Sequence, residues 1–393
     1  MEKRLRIALI IDTYFPMIDG VVMVVDSYAR RLQEHADVTV FCPTVDKHFR
    51  DDYPYRVVRC KSFKPFFLDY VAPTPRLDRA FCRTLREMDF DIVHIHSPFA
   101  IAALGVRYAK RCGIPVVATL HSQYRQDIKK SVKWGFLTDR VLAHLMKTFN
   151  RCDECFAVNR GMLELYQSEY GLTAPAGVKH NASDFLPVAD RAAARARVRE
   201  RFGAKEGERL FLFVGRINFI KNIPFILDAL AILHARGFAF RMVFVGGGSD
   251  SDALRERAKE LGLEEHVLLA GEIRDRHELE EVYAASDLFL FPSLYDANSL
   301  VQIEAASQGV PTLFIREAKT ASSCIEDHNA FMSANDPTAY ADRIERIFED
   351  EELYIKVSKN AQSELYTTWD DSVRELLVDY ERILAEHAKH PKA

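Results

Sequence analysis

The most constraining feature of the sequence is a regular alternation between short apolar runs and longer amphipathic segments. Apolar runs with strand character lie at residues 5–12, 37–42, 55–60, 91–96, 115–121, 154–159, 209–215, 239–246, 266–271, 287–292 and 310–315. Helical patterns lie between them, among others at about 21–34, 75–88, 99–112, 125–149 and 160–170. This alternation is typical of βαβ units, so the sequence predicts an α/β fold built from doubly wound parallel sheets.

The chain length predicts two domains, because 393 residues are too many for one ordinary core. A basic, alanine-rich helical segment at 190–203 interrupts the alternation, with Asp190 and Gly203 as candidate caps. A long amphipathic helix at 368–388 has no strand after it. We therefore expect an N-terminal domain at 1–184, a linker at 185–206, a C-terminal domain at 207–366 and a C-terminal helical segment at 367–393.

Composition excludes several classes of protein. A hydrophobic content of 48% and a charged content of 28% describe a soluble globular chain, and the net charge of −4 gives no general attraction to nucleic acid. No apolar run reaches the roughly 18 residues that span a bilayer. The N-terminal run is short and contains Asp12, so we interpret it as a first strand and not as a signal peptide.

The seven cysteines indicate a reducing, cytoplasmic compartment, because they are odd in number and scattered through apolar surroundings. Cys152 and Cys155 form a CxxC pair, but no second pair lies at the spacing of a zinc ribbon. We expect them to be buried core thiols.

Ligands of doubly wound sheets bind in loops that follow the strands. After the first strand of the second domain, Arg216 and Lys221 flank a loop that opens a helix. Two cations near a helix N-terminus can form an anion site together with the unpaired N–H groups. The alternative is that Arg216 and Lys221 are two solvent-exposed charges on a loop and bind no ligand.

Two carboxylates, Asp296 and Glu304, follow the buried strand 287–292. Between them, Ser299 and Gln302 have the S-x-x-Q spacing of a capping box, which predicts a helix that starts at Ser299. The carboxylates could be an acid/base pair, a metal site, or acceptors for the hydroxyls of a ribose or sugar. They could also be one capping group and one surface glutamate. Of the three functional interpretations polyol binding fits best, because it needs no shifted pKa, but from these residues alone a capping group and a surface glutamate are favoured.

The first domain offers a loop that ends in Asp19 and Gly20, where glycine lets backbone approach a ligand closely. This loop has neither the G-x-G-x-x-G spacing nor a Walker motif, which argues against dinucleotide and P-loop binding. His121 ends a strand. His94 and His96 share one strand face but lack a third ligand for a metal.

Together these segments resemble the retaining glycosyltransferases of the GT-B fold, family four, which use nucleotide-sugar donors. The resemblance extends over nearly the whole chain and rests on DTYFPMIDGV, DIVHIHSP, VATLHSQY, FVGRINFIKN, VFVGGG, LLAGEI and DLFLFPSLYDANSLVQIEAASQGVP. The E-x7-E signature of the family is present as D-x7-E, from Asp296 to Glu304.

The resemblance implies two Rossmann-like domains that face each other across a cleft, with the C-terminal helix packing back on the N-terminal domain. It also implies a role for each site residue: His121 and Asp296 at the reacting sugar, Arg216, Lys221, Gly20, Ser299 and Leu300 at the diphosphate, Glu304 at the ribose, and Glu272 with Ile273 at the base. Fixed cations and helix N–H groups would neutralise the departing diphosphate, so no metal is required and no cofactor is expected.

Some positions depart from the family pattern. Asp296 replaces the usual glutamate, and glycine is common in the family where this chain has Ser299, Ala182, His328 and Ala330. These changes concern the donor identity and to a lesser degree catalysis, and they leave the fold expectation unchanged.

The segment 124–136 is the candidate acceptor or membrane surface. It carries Arg125, Lys129, Lys130 and Trp134, and basic residues beside interfacial aromatics suit an anionic membrane. An ordinary solvated helix face is the alternative. The aromatic loop 63–73 could line an acceptor site or fold onto its own domain.

The leading hypothesis is an enzyme that transfers a hexose from a nucleotide diphosphate sugar to a lipid-linked or cell-envelope acceptor. We expect it in the cytoplasm, with peripheral binding to the inner face of the membrane as one option. Retention of configuration is implied by the resemblance alone. The alternatives are a sugar-nucleotide epimerase of similar fold and a nucleotide-binding protein with weak or lost activity. A dehydrogenase is disfavoured, because the dinucleotide motif is missing.

Overall fold

The computed structural model describes residues 4–65, 71–131 and 135–389, without the side chains of residues 130 and 131. The chain divides into two compact units. The first comprises Met1–Asn181 with Trp369–Ala393, and the second comprises Ala182–Thr368.

The first unit is built on a seven-stranded parallel sheet. Its strands, with a small antiparallel pair, are β1 (Arg6–Ile10), β2 (Asp37–Pro43), β3 (Arg56–Cys60), β4 (Ser62–Phe63), β5 (Ala72–Pro73), β6 (Ile92–Ile95), β7 (Val116–Leu120), β8 (Glu154–Ala157) and β9 (Ala176–Val178). The sheet order is β3-β2-β1-β6-β7-β8-β9, while β4 pairs with β5. Strand order therefore reverses between β1 and β6. The predicted strands are confirmed, and β9 is an addition, too short for a pattern to show.

Helices cover this sheet. They are α1 (Gly20–His35), α2 (Arg79–Glu87), α3 (Ala100–Cys112), α4 (Tyr124–Ser131), α5 (Gly135–Phe149) and α6 (Arg160–Ser168). The Asp19 side chain caps α1 by accepting from the Val22 N–H at 2.8 Å. Helix α3 is capped from a different element, because buried Asp12 accepts the Ile101 N–H at 2.6 Å. Burial raises the pKa of Asp12.

The second unit contains a six-stranded parallel sheet. Its strands are β10 (Arg209–Val214), β11 (Phe240–Val245), β12 (Val267–Gly271), β13 (Leu288–Phe291), β14 (Thr312–Ile315) and β15 (Phe331–Ser333). Their order is β12-β11-β10-β13-β14-β15, so the chain builds outward in one direction from β10 and in the other direction from β13. The neighbouring strands β10 and β13 are the point where this order reverses.

The helices of the second unit are α7 (Arg191–Phe202), α8 (Ile223–Ala235), α9 (Ser251–Glu260), α10 (Arg276–Ala285), α11 (Leu300–Ser307), α12 (Pro337–Glu349) and α13 (Glu351–Leu365). Helix α7 lies within the segment 185–206 that the sequence suggests as a linker. Its Val198 and Phe202 join the core of this unit, and Arg195 pairs with Asp287 at 2.9 Å. The segment is therefore part of the second unit.

The last helix, α14 (Trp369–Lys389), returns to the first unit. The Tyr380 hydroxyl lies 2.7 Å from His94 Nδ1, and Lys179 pairs with Asp379 at 2.9 Å. The Trp369 ring packs edge-on against Tyr28 at 5.1 Å. Two parallel-sheet α/β domains, with the last helix on the first of them, confirm the predicted fold class.

We expect the Tyr380→Phe variant to lose stability. The substitution leaves the buried His94 Nδ1 without its hydroxyl partner, which costs about 1–3 kcal/mol. Chemical denaturation measures the free energy of unfolding. Val378→Ala is the control, because Val378 lies on the same helix and is 65% exposed. Equal stability of the two variants would show that the hydroxyl does not anchor this helix.

Candidate active site

The candidate residues fall into two groups, one on each unit. The larger group belongs to the second unit and lies in the loops that follow β10, β11, β12 and β13, at the carboxyl edge of the parallel sheet. Open α/β sheets bind ligands at this edge, next to the point where strand order reverses.

Three consecutive glycines shape the loop after β11. A Cβ atom on Gly246 would lie 2.0 Å from the Gly215 carbonyl oxygen, and one on Gly248 would lie 2.1 Å from the Ile217 carbonyl oxygen. The Ile217 N–H also donates to the Gly247 carbonyl oxygen at 2.9 Å. The loop after β11 thus packs directly against the loop after β10, and only glycine allows this approach. Site reasoning from the sequence did not include Gly246 or Gly248, although VFVGGG was among the family motifs.

Lys221 and Asp296 form an ion pair across the reversal point. The Lys221 ammonium lies 2.7 Å and 2.9 Å from the two carboxylate oxygens of Asp296. The Ser293 hydroxyl donates to the same carboxylate at 2.6 Å. Both charged side chains are largely shielded from solvent, with 18% and 17% exposed. The residue predicted to bind the diphosphate, Lys221, is thus in contact with the residue predicted to bind the sugar, Asp296. Ser293, which contacts the same carboxylate, was not predicted from the sequence.

Arg216 lies in the loop after β10 and is exposed. Helix α11 begins at Leu300 with Ser299 as its N-cap residue, so the predicted helix start is confirmed. The predicted capping box is wrong. Ser299 makes no side-chain capping bond, and the Gln302 amide donates to Asn298 Oδ1 at 3.0 Å because that acceptor lies one turn before it.

Glu304 lies on α11, where the Tyr283 hydroxyl donates to its Oε2 at 2.8 Å. Burial raises the pKa of Glu304 to about 7, while Tyr283 and the guanidinium of Arg276 act in the opposite direction. Arg276 itself pairs with Asp184 at 2.9 Å. This carboxyl group therefore changes its protonation state near neutral pH.

The two residues predicted for the base follow β12 directly. Glu272 is exposed and pairs with Arg274 at 3.0 Å. A Cβ atom on Gly247 would lie 3.3 Å from a Glu272 carboxylate oxygen, so Glu272 borders the glycine loop. Ile273 packs partly buried against the core of the unit.

The first unit holds His121 at the exit of β7, as predicted. Its Nε2 lies 3.0 Å from His96 Nδ1, and the His96 ring stacks on the His94 ring with centroids 4.2 Å apart. Burial lowers the pKa of His121 to about 3, so its imidazole is neutral at physiological pH. Within the described ranges, no group of three or more histidine, cysteine or acidic side chains is arranged to hold a metal ion.

Gly20 is the first residue of α1, and its surroundings are open. A Cβ atom built on it would meet no atom within 4 Å. Gly20, at the start of α1 after β1, and His121, directly after β7, both follow strands at the carboxyl edge of the first sheet.

The candidate acceptor segment is only partly described. The Arg125 guanidinium pairs with Asp139 at 2.6 Å, and Lys129 is exposed. The side chain of Lys130 and all of Trp134 lie outside the described residues. In the part of the chain that the structure covers, no helix combines the length and the apolarity needed to cross a membrane.

Three positions where the family often has glycine are occupied without backbone strain. Ala182 and Ala330 are fully buried, and His328 lies 2.8 Å from Glu364. Among the described residues other than glycine, only Asn222 and Asp327 have a positive φ, so none of the three positions requires glycine for its backbone conformation.

Comparison with known proteins agrees with this geometry. A family model described as glycosyltransferase family 4 matches residues 18–184, and one described as glycosyl transferases group 1 matches residues 194–364. The chain is 24% identical over 317 residues to an α-monoglucosyldiacylglycerol synthase of Streptococcus pneumoniae, covering 79% of this chain and 70% of the relative.

Two further proteins are similar over most of their length. A UDP-Gal:α-D-GlcNAc-diphosphoundecaprenol α-1,3-galactosyltransferase of Escherichia coli is 25% identical over 316 residues, covering 76% of this chain and 77% of the relative. The crystal structure of HepE from Anabaena in complex with UDP and glucose matches with a TM-score of 0.74 and 16% identity, covering 96% and 99% of the two chains.

The fold, the paired family models and these relatives define the class. The chain belongs to the group 1 glycosyltransferases of the GT-B fold and is a nucleotide-sugar glycosyltransferase. The family assignment that the motifs suggest is thereby confirmed.

The glycine loop gives a matched pair of variants. We expect Gly248→Ala to destabilise the second unit by about 1–3 kcal/mol, because its Cβ would overlap the Ile217 backbone. Gly247→Ala should cost less, since its Cβ meets only the mobile end of the Glu272 side chain at 3.3 Å. Chemical denaturation of both variants measures the difference, and an equal loss would contradict the close approach of the two loops.

Glu304 should make stability depend on pH. Its pKa is raised from 4.5 to about 7 in the folded chain, so the folded state holds the proton more tightly. This contribution is present below pH 4.5 and is lost as pH rises to about 7. The expected result is that the melting temperature of Glu304→Gln, relative to the wild type, rises between pH 5 and pH 8.

Comparing the melting temperatures of the wild type and Glu304→Gln at the same pH isolates the contribution of Glu304. The buried histidines act in the opposite sense, since their lowered pKa removes stability as pH falls, but they are common to both proteins. A constant difference in melting temperature across this range would show that Glu304 does not titrate there.

Proposed function

We propose that this enzyme is a retaining glycosyltransferase that moves a hexose from a nucleotide diphosphate sugar to a lipid-linked or cell-envelope glycan acceptor. The observation that carries the proposal is the position of Lys221 and Asp296. They meet where β10 and β13 lie side by side and strand order reverses, which is the ligand-binding position of doubly wound sheets.

The second unit supplies the groups that a nucleotide diphosphate needs. Lys221 and Arg216 provide positive charge, and the N-terminus of α11, which begins at Leu300 after Ser299, adds backbone N–H donors. Negative charge grows on the diphosphate as the bond to the sugar breaks. Donors that are fixed before the reaction stabilise that charge where it develops. With this charge supplied by the chain, we propose that transfer requires no metal ion.

Glu304 is suited to hold the ribose, because one of its carboxylate oxygens is already fixed by Tyr283. For the other donor contacts we retain the roles that the family implies, with Glu272 and Ile273 at the base, Gly20 at the diphosphate and Asp296 at the sugar hydroxyls. Asp296 also has a local role, since it accepts a hydrogen bond from the Lys221 ammonium.

In the reaction, the bond from the anomeric carbon to the diphosphate oxygen breaks and a bond to an acceptor hydroxyl oxygen forms, while the proton of that hydroxyl passes to the departing diphosphate. His121 is neutral near pH 7, so we assign it a hydrogen bond to the transferred sugar and not the role of a protonated acid. Retention of configuration is proposed from the family.

The acceptor class rests on two relatives whose names describe lipid or lipid-linked acceptors. The exposed Lys129 and the 65% exposed Phe136 give the first unit a cation and an apolar group in the segment predicted to meet the acceptor. Basic and aromatic groups together favour an anionic membrane surface, which suits a cytoplasmic enzyme bound peripherally.

The test is release of nucleoside diphosphate from UDP-, GDP- and ADP-hexoses in the presence of lipid acceptors in anionic vesicles. We expect Lys221→Ala to lower kcat by about 10²- to 10³-fold, because it removes a charge at the leaving group. Glu304→Ala should mainly raise KM for the donor. Lys259→Ala is the matched control, an exposed lysine on α9 of the same unit.

Unchanged turnover in both site variants would reject this assignment of the site. Conversion of the donor sugar without any acceptor would favour an epimerase. Binding of the nucleotide without transfer to any acceptor would indicate a protein that retains the pocket and has lost the activity.

A further inference from the structure

Tyr283 is a buried residue whose polar group is directed at the proposed ribose site. It lies near the end of α10, its side chain is fully buried, and its ring packs against Phe185 and Phe289 at 5.9 Å and 5.8 Å. A phenylalanine would satisfy the same packing. The hydroxyl therefore needs a separate explanation, and its partner is Glu304 Oε2 at 2.8 Å.

The contact with Tyr283 engages only one of the two carboxylate oxygens of Glu304. An ionised carboxylate has two oxygens that accept hydrogen bonds, and Tyr283 fixes one of them. The tyrosine ring is held by core packing, so its hydroxyl restricts rotation of the Glu304 carboxyl group. Oε1 is then presented in one orientation, as a pair of ribose hydroxyls would require.

We propose that Tyr283 is a positioning residue that fixes the Glu304 carboxylate for the ribose hydroxyls of the donor. The proposal rests on the proposed function, and it deepens it by assigning a residue that acts on the donor only through Glu304.

The charges around Glu304 favour the same role. Burial acts against the ionised carboxyl, and Tyr283 is the strongest of the groups that lower its pKa, ahead of Arg276, whereas Asp184 raises it. The Tyr283 hydroxyl itself stays protonated, because burial raises its pKa well above the ordinary value. Tyr283 therefore remains a donor at every pH at which the carboxyl ionises.

The test compares Tyr283→Phe with Tyr340→Phe. Tyr340 is a matched control, since it is equally buried in the same unit but donates to a backbone carbonyl, that of Leu313, at 2.9 Å. Each variant is measured in two ways. The first is the melting temperature without ligand from pH 5 to pH 9, relative to Glu304→Gln, and the second is the affinity for UDP, GDP and ADP over the same range.

Without ligand, we expect the pH dependence due to Glu304 to extend upward by about one pH unit in Tyr283→Phe and to be unchanged in Tyr340→Phe. The nucleotide bound by the wild type should bind Tyr283→Phe about tenfold more weakly at pH 7, and the loss should shrink as pH rises. Transfer activity should show a higher KM for the donor with kcat less affected.

The outcomes separate the two proposals. If Tyr283→Phe and Tyr340→Phe keep the wild-type pH dependence, or lose nucleotide affinity equally, Tyr283 is only a core residue and the inference is overturned. Tyr283→Phe could shift the pH dependence of the melting temperature while the wild type binds none of the three nucleotides. In that case the proposed function fails, and the role of Tyr283 in ribose binding fails with it.

Discussion

The ion pair between Lys221 and Asp296 is the interaction on which the second unit's site depends. It joins the loop after β10 to the loop after β13, the two strands from which the sheet is built in opposite directions. An ammonium without a partner at this depth would be costly, and the carboxylate of Asp296 supplies that partner for Lys221. The Ser293 hydroxyl donates to the same carboxylate, so the group that holds the ammonium is itself held in place. Under the proposed function, a diphosphate at Lys221 would meet a cation that needs little reorganisation.

Glycines bring two of the loops of this unit into direct contact. The loops after β10 and β11 approach so closely that a Cβ on Gly246 or Gly248 would overlap backbone atoms. Hydrogen bonds such as that from the Ile217 N–H to the Gly247 carbonyl hold them together. The rigid framework is therefore made of backbone, while the chemistry is left to a few side chains that project from it. This arrangement suits a site that has to stabilise a developing charge, since preorganised groups act without moving.

Much of the fold could be predicted, because strands buried on both faces appear as unbroken apolar runs, such as 209–215 and 287–292. The three-residue strands β9 and β15 were too short to produce a pattern. The sequence predicts a linker at 185–206 because a basic, alanine-rich helical segment interrupts the alternation of strands and helices there. The structure shows that two arginines of this segment, Arg191 and Arg195, donate to carbonyls at the end of α10, so part of this basic composition serves packing within the second unit.

Candidate site residues could be predicted where they directly follow a strand. Their side-chain partners could not, because those partners are remote in the sequence. Position and residue type made Lys221, Asp296 and Glu304 candidates, and their roles stay predictions. Neither the ion pair nor the Tyr283 contact could be predicted, because both depend on side-chain directions across separate elements. A core tyrosine and a positioning tyrosine look the same in a sequence. What distinguishes Tyr283 is that its hydroxyl meets an ionisable group in a buried place, where a single hydrogen bond changes both the orientation and the charge of its partner. The same physical effect, burial acting on a titratable group, makes His121 neutral on the other unit. Burial therefore sets the protonation state of Glu304 and of His121, whereas residue identity alone would have predicted an ionised glutamate and a histidine that is partly protonated at neutral pH.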